Sequence, residues 1–150
     1  MIRLSKKALL ALEAVVDIAY NARPEPVQSK ELTQRQGIPQ RYLEQVMQQL
    51  VRAGILRGVR GPRGGYRLAR ERRRITAGEI VRIVGELESR EEEVLDRGCE
   101  IGEKVVRPML SELHEEMMQR LDAVTIDDLC QTAEQRGVAN AGAERLDFTI

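Results

Sequence analysis

The chain has 150 residues, with 24 Lys and Arg balanced by 24 Asp and Glu, and 42% of its residues are hydrophobic. It has no Trp and one Phe, so we expect one or two small domains whose core is built from aliphatic side chains and Met. Two Cys and one His exclude a disulfide framework and the usual zinc sites. The chain shows no secretion signal and no apolar run of about 18 residues, which predicts a cytoplasmic protein without membrane contact.

The charges are divided unevenly along the chain. Residues 1–75 carry 16 Lys and Arg and 6 Asp and Glu, a net charge of +10, whereas residues 76–150 carry 8 and 18, a net charge of −10. A basic half indicates a polyanionic partner, most simply nucleic acid. The acidic half cannot bind the same phosphates and should have a different function, unless the uneven distribution of charge reflects only chance or solubility.

The first elements in chain order have the pattern of a helix-turn-helix. Ser5 predicts the N-cap of a helix over residues 6–20, and Ser29 that of a short helix over residues 30–36 with Leu32 facing inward. A turn at residues 37–39 leads to a third helix over residues 40–53, which Gly54 ends. The expected buried residues of the first and third helices are Leu9, Leu12, Val15, Val16, Ala19, Leu43, Val46, Met47, Leu50 and Val51.

A hairpin with a basic, glycine-rich loop follows. Residues 55–59 and 66–69 predict two short strands, and the loop between them reads Arg-Gly-Pro-Arg-Gly-Gly. Glycines allow the backbone to approach a phosphate closely or to take a positive φ, and arginines there pair with phosphate or enter a minor groove. Such a hairpin, called a wing, is a specific sign of nucleic-acid binding after a helix-turn-helix. Arg70 and residues 72–74 either extend this surface or form a solvated charge run.

The acidic half predicts three helices. Thr76 and Glu79 have the spacing of a capping box, which begins a helix. Residues 97–103 are expected to form a loop before a long helix over residues 104–124, and Thr125 caps a last helix ending near residue 136. Six apolar residues of the long helix follow a heptad-like spacing and form either a dimer seam, which we favour, or a face packed on the chain's own core: Val106, Leu110, Leu113, Met117, Leu121 and Val124.

The expected fold is therefore mainly α-helical with a small β-hairpin: a winged helix-turn-helix followed by a long C-terminal dimerisation helix. We divide the chain into a DNA-binding domain at residues 1–75, a helical sensor and dimerisation region at residues 76–137, and a flexible tail at residues 138–150.

Several stretches resemble the Rrf2 family of bacterial transcription regulators, most closely its iron–sulfur branch. The wing carries the most specific match, and the matching stretches together span about residues 2–130: residues 3–5, 35–38, 42–45, 59–66, 77–80 and 125–126. The resemblance implies a homodimer that binds a near-palindromic promoter sequence. It also implies that Glu44 and Gln45 read bases and that Arg60 enters the minor groove.

The residue types of the third helix agree with base reading. Arg recognises guanine, Gln recognises adenine, and Glu accepts a hydrogen bond from cytosine. Tyr42 is better suited to a phosphate contact or to packing. The predicted DNA-binding set is Ser29, Gln40, Arg41, Tyr42, Glu44, Gln45, Arg60, Gly61, Arg63, Gly64 and Gly65.

The chain departs from the family at the iron–sulfur ligands. Members of that branch carry three spaced cysteines, often followed by a His, and commonly bind a [2Fe–2S] cluster. Here Cys99 fits the middle cysteine, whereas Glu93 and Val105 occupy the flanking positions and Pro108 the expected His position. Val and Pro cannot ligate iron, so we expect no metal site and no cofactor. A cluster shared by two chains through Cys99 and Glu93 stays an alternative.

The signal that the acidic half senses is left open. Cys99 is either a redox sensor or a leftover cysteine, and Cys130 fits a small buried hydrophobe. Some family members lack cluster cysteines and respond to a partner protein or a small metabolite. The acidic residues 91–93 form either a partner surface or, as we favour, a solvated helix face.

Three functions compete at this point. The first is a sequence-specific DNA-binding regulator, acting as a repressor without the family's standard cluster. The second is a relative that works mainly through a partner protein, which the intact wing argues against. The third is an enzyme, which we rank last because we find no nucleophile–base set, no metal-ligand spacing and no phosphate loop.

Overall fold

The computed structural model describes residues 4–92 and 98–140, with residues 86–92 described by their backbone alone. These residues form six helices and one antiparallel hairpin, which confirms the expected mainly helical fold with a wing. The elements are α1 (Lys6–Tyr20), α2 (Ser29–Gln36), α3 (Gln40–Arg52), β1 (Leu56–Val59), β2 (Gly65–Leu68), α4 (Ala77–Glu92), α5 (Arg107–Asp122) and α6 (Ile126–Gln135).

Helix α1 lies at the centre of the molecule. It contacts α2, α3, α4, α6 and β2. Its small residues Ala8, Ala11 and Ala14 are fully buried, and their size allows neighbouring helices to approach closely. The Ser5 hydroxyl accepts a hydrogen bond from the Ala8 N–H at 3.0 Å, so the predicted cap is confirmed. The prediction that Leu9 is buried is wrong. Leu9 is 50% exposed, because the buried face of α1 runs through Ala8 and Ala11 and Leu9 lies beside that face.

Helices α2 and α3 form the predicted helix-turn-helix. Ser29 is not the N-cap, because α2 begins at that residue and the Glu31 carboxylate accepts a hydrogen bond from the Gln28 N–H at 2.8 Å. Gly37, at φ 63°, allows the left-handed turn that separates the two helices. Val51 was expected in the core but is 36% exposed, since α3 turns it away from its buried face.

Gly54 ends α3 in a Schellman motif, as predicted. The Gly54 N–H donates to the Val51 carbonyl at 3.1 Å, and the Ile55 N–H donates to the Leu50 carbonyl at 3.0 Å. The chain then enters the hairpin, in which Leu56 pairs with Leu68 and Val59 with Gly65. Each strand begins within one residue of its predicted start. Val27 adds a bridge to Tyr66 on β2.

The acidic half is joined to the winged half through backbone hydrogen bonds. The Ala77 N–H donates to the Val124 carbonyl at 2.8 Å, and the Ile126 N–H donates to the Ile75 carbonyl at 2.9 Å. We call these two short stretches, residues 75–77 and 124–126, the strap. The main core cluster contains residues of both halves, including Ile80, Val84, Ile126 and Cys130 from the acidic half.

The expected loop before the long helix is wrong in its extent. The chain is helical from Glu100, passes through a π-helical turn at Gly102–Val106 and continues into α5. Pro108 explains the turn, because proline has no N–H to donate and its ring crowds the carbonyl four residues earlier. The Arg107 N–H bonds to the Gly102 carbonyl, one residue further back than in an α-helix. In the described part of the chain, no helix is long and apolar enough to span a membrane.

Asp17 is a buried carboxylate that ties α1 to α2. Its side chain is 1% exposed and accepts hydrogen bonds from Arg35 Nη2 at 2.7 Å and Arg35 Nε at 2.9 Å. Gln36 Nε2 donates to the same carboxylate at 2.7 Å. The hydrogen bond to Asp17 also raises the pKa of Arg35, despite partial burial. Burying this charge is favourable only with such partners.

We predict that Asp17→Asn lowers the free energy of unfolding by about 2 kcal/mol, since it leaves the half-buried guanidinium of Arg35 with only the more distant Glu31 carboxylate, 3.8 Å away. Urea denaturation followed by circular dichroism measures the effect. Glu13→Gln on the same helix is the matched control, because Glu13 makes no ion pair with any described residue. Equal midpoints for the two variants would contradict the role given to Asp17.

Candidate nucleic-acid interface and the Cys99 segment

The first turns of α3 present a polar face to solvent. Leu43, Val46, Met47 and Leu50 are buried against the core, so the opposite side of this amphipathic helix is left outside. The Gln40 amide donates to Glu44 Oε1 at 3.3 Å. The predicted base-reading and phosphate residues all lie on this exposed face: Gln40, Arg41, Tyr42, Glu44 and Gln45.

The wing loop projects two arginines. Arg60 and Arg63 are exposed, the first just before and the second within a turn closed by the Gly64 N–H, which donates to the Gly61 carbonyl at 2.9 Å. Gly61 has φ 115°, a conformation that other residues rarely adopt.

Gly64 and Gly65 have a different reason to be glycine. A Cβ on Gly64 would lie 2.3 Å from the Val59 carbonyl oxygen, and a Cβ on Gly65 would lie 2.3 Å from the Val27 carbonyl oxygen. The chain's own packing therefore requires both glycines, whereas the sequence pattern alone suggested approach to a phosphate. Ser29, the remaining member of the predicted set, lies half-buried at the start of α2.

The arginines fall into paired and unpaired groups. Arg70 Nη2 lies 2.5 Å from Glu79 Oε1, and Arg72 Nε lies 2.6 Å from Asp127 Oδ1, so carboxylates of the acidic half neutralise both. By contrast, Arg41, Arg60 and Arg63 make no ion pair within the described residues. Positive charge without a counter-charge is therefore present on the first turns of α3 and on the wing, and also elsewhere in the basic half, for example at Arg52 and Arg73.

The Cys99 segment does not assemble the ligand set that the iron–sulfur resemblance implies. Cys99 is exposed, and its Sγ accepts a hydrogen bond from the Gly102 N–H at 3.2 Å. Val105 and Pro108 offer no ligand atoms, and Glu93 lies outside the described residues. Within the described ranges, no three His, Cys, Asp or Glu side chains group closely enough to hold a metal ion. These residues do not fit a [2Fe–2S] cluster.

Cys130 is a buried thiol, as the sequence suggested. It is 2% exposed, and burial raises its pKa although the nearby Arg72 partly opposes the shift. A raised pKa disfavours the reactive thiolate. His114, the single histidine, is exposed on α5.

The apolar residues of the long helix divide into two groups. Met117 and Leu121 pack on a cluster of Ala8, Val81 and Met118, so this part covers the chain's own core. Val124 is half-buried. The part nearer Cys99 is exposed and adds three residues that the heptad pattern missed; its members are Ile101, Val105, Val106, Met109, Leu110 and Leu113. We call these six residues the apolar face.

Comparison with known proteins agrees with this architecture. The Rrf2 family model, described as an iron-dependent transcriptional regulator, matches residues 4–132. The HTH-type transcriptional regulator IscR of Xenorhabdus nematophila is 32% identical over 139 residues, which cover 92% of this chain and 85% of that protein. IscR of Klebsiella pneumoniae is 33% identical over 133 residues, covering 88% and 82%.

Solved structures show the same likeness. IscR of T. potens superimposes with a TM-score of 0.72 at 30% identity and covers 93% of both chains. CymR of B. subtilis, the global cysteine regulator, superimposes with a TM-score of 0.70 at 28% identity, covering 88% of this chain and 98% of that one. The chain therefore belongs to the Rrf2 family of DNA-binding transcriptional regulators.

Proposed function

We propose that this regulator binds a near-palindromic operator as a homodimer and represses transcription by occupying promoter DNA. The observation that carries the proposal is that the exposed face of α3 and the wing loop, two adjacent elements of a winged helix-turn-helix, both present cations with no ion-pair partner among the described residues. Winged helix-turn-helix proteins place these two elements on DNA, the helix in the major groove.

In this arrangement α3 is the recognition helix. Its exposed face offers Arg41, Glu44 and Gln45, which match guanine, cytosine and adenine respectively. The buried side of α3 holds the helix rigidly on the core, so these side chains are presented in a fixed register. Ser29, at the start of α2, and Tyr42 are proposed to contact phosphates.

We expect Arg60→Ala to weaken operator binding about 10-fold, because it removes a cation proposed to enter the minor groove. Fluorescence anisotropy on an operator selected from a random-sequence library measures the change. Arg73→Ala is the control, since Arg73 is also exposed and makes no ion pair within the described residues. An unchanged titration for Arg60→Ala, or an equal loss in both variants, would contradict the wing assignment.

The apolar face supports the homodimer. Ile101 is 70% exposed and Leu113 is 47% exposed, although both are large hydrophobic residues. An apolar face of this length on a helix is typical of a protein–protein interface. The heptad-like line through Val106, Leu110 and Leu113 fits a second copy of the same helix. Two recognition helices related by two-fold symmetry would then read two half-sites about one helical turn apart.

Leu113→Glu should weaken dimerisation about 100-fold or more, because it places an unpaired carboxylate in an apolar contact. Sedimentation velocity across a concentration series measures the dissociation constant. Val138→Glu is the matched control, since Val138 is 54% exposed but lies outside the apolar face. A dimer of unchanged affinity, or a wild-type monomer, would exclude this helix as the interface.

We propose that the signal does not pass through a [2Fe–2S] cluster, because the residues around Cys99 do not fit one. A small metabolite, a partner protein or thiol chemistry at Cys99 would replace it. A protein that works mainly through a partner would instead show weak, sequence-blind DNA binding and would co-purify with that partner.

Protein purified without oxygen is expected to contain no stoichiometric iron or sulfide and no visible absorption band, because one thiolate cannot hold a cluster. Iron and sulfide assays with a visible spectrum check this, with Cys99→Ala as the control. A coloured wild-type sample with stoichiometric iron and sulfide, and a colourless Cys99→Ala sample, would restore the iron–sulfur hypothesis.

A further inference from the structure

An open cleft of about 800 Å³ separates the first turn of α1 from the first turn of α3. Its lining contains three cationic side chains and no acidic one, together with a tyrosine and a glutamine. The lining residues are Lys6, Lys7, Leu10, Pro39, Arg41, Tyr42 and Gln45. We call this feature the basic cleft.

The two lysines occupy positions that are unfavourable for the helix itself. Lys6 and Lys7 form the first turn of α1, where the helix dipole favours negative charge. Helices α2, α4 and α6 each carry an acidic residue in the first turn, whereas α1, α3 and α5 carry none. Neither lysine makes an ion pair with a described residue. Stability of the isolated chain therefore gives no reason for this charge.

We propose that the basic cleft binds the sugar–phosphate backbone of DNA beside the major groove, with Lys6 and Lys7 as phosphate contacts. The inference deepens the proposed operator binding and rests on it. Arg41, Tyr42 and Gln45 belong both to the cleft and to the exposed face of α3, so the cleft is continuous with the proposed base-reading surface. DNA lying on that face would bring a backbone strand into the cleft.

The chemistry of the lining matches a backbone strand. Lysine ammonium groups pair with phosphates as point charges, and a tyrosine hydroxyl such as that of Tyr42 donates to phosphate oxygens. Phosphate contacts position a protein without reading sequence. The lysines should therefore add affinity and salt dependence, whereas Gln45 should add sequence preference.

The test compares Lys6→Gln/Lys7→Gln with wild type in DNA titrations at several salt concentrations. Two duplexes are used, the selected operator and a scrambled sequence of the same composition. Each phosphate contact contributes about 0.9 to the slope of log K against log salt, and the proposed homodimer would lose four contacts, so the variant slope should be shallower by about 3 to 4. Affinity near physiological salt should fall about 10-fold on both duplexes, with an unchanged ratio between them.

Two controls separate contact from general electrostatics and from base reading. Lys104→Gln/Arg136→Gln removes two exposed positive charges from the acidic half and should leave the slope within about 0.5 of wild type. Gln45→Ala should reduce the operator-to-scrambled ratio while the slope stays the same. Circular dichroism and urea midpoints establish that each variant is folded.

An unchanged slope for the α1 variant, or an equal change in the control pair, would overturn the proposal. So would a loss confined to the operator, which would indicate base reading. A variant that lost stabilisation by inorganic phosphate but kept the wild-type slope would identify a free-anion site instead. A wild-type protein with no sequence preference would contradict the proposed operator binding. The slope of log K against log salt on the scrambled duplex would still test whether the basic cleft contacts phosphates.

Discussion

The arrangement of the elements proposed to face DNA depends on a buried carboxylate. Asp17 lies on the central helix and accepts hydrogen bonds from Arg35 and Gln36, the last two side-chain donors of α2. Those residues immediately precede Gly37, whose positive φ sets the direction in which α3 leaves the turn. The same contact therefore contributes to the placement of α3, whose first turn bounds the basic cleft and which also packs directly on α1. One charge that is costly to bury thus supports the proposed phosphate-binding surface.

Ion pairs between the two halves separate the arginines of the basic half into neutralised and unpaired groups. Glu79 and Asp127 of the acidic half neutralise Arg70 and Arg72 of the basic half. Within the acidic half, Arg82 pairs with Asp122 and holds the pKa of Asp122 below its ordinary value. The charge of Arg70 and Arg72 is therefore not available to a nucleic acid, whereas the arginines of the wing loop and of the first turns of α3 keep theirs. The even overall charge of the chain conceals a surface that is locally strongly positive.

Local signals in the sequence predicted local structure well. Caps and turns act through hydrogen bonds or backbone angles within a few residues. The structure confirms the predicted ones at Ser5, Gly37, Gly54 and Thr125. Ser29 is the exception, because Gln28 and Glu31 form the capping box of α2 instead. The predicted DNA-facing residues of α3 and the wing lie on exposed surfaces, since an amphipathic pattern defines both sides of a helix.

Features that depend on distant residues could not be predicted in this way. The exposure of Leu9 and Val51 is decided by which neighbours pack on each helix, and the partner of Arg72 lies in the last helix. To predict the π-helical turn, one would need to know that Pro108 lies within a continuous helix, whereas the glycines before it suggested a loop. Lys6 and Lys7 did carry a readable signal, since cations in a first helical turn oppose the helix dipole.

The strap joins the two halves of this regulator into one folding unit. Residues 1–75 contain every proposed DNA contact, yet α1 is covered by side chains that arrive only after the strap, among them Ile80, Val84 and Ile126. A fragment ending at residue 75 would expose that apolar surface to water. The half proposed to bind DNA therefore cannot be exchanged between regulators as an independent module, and a chimera would need to carry α4 and α6 with it.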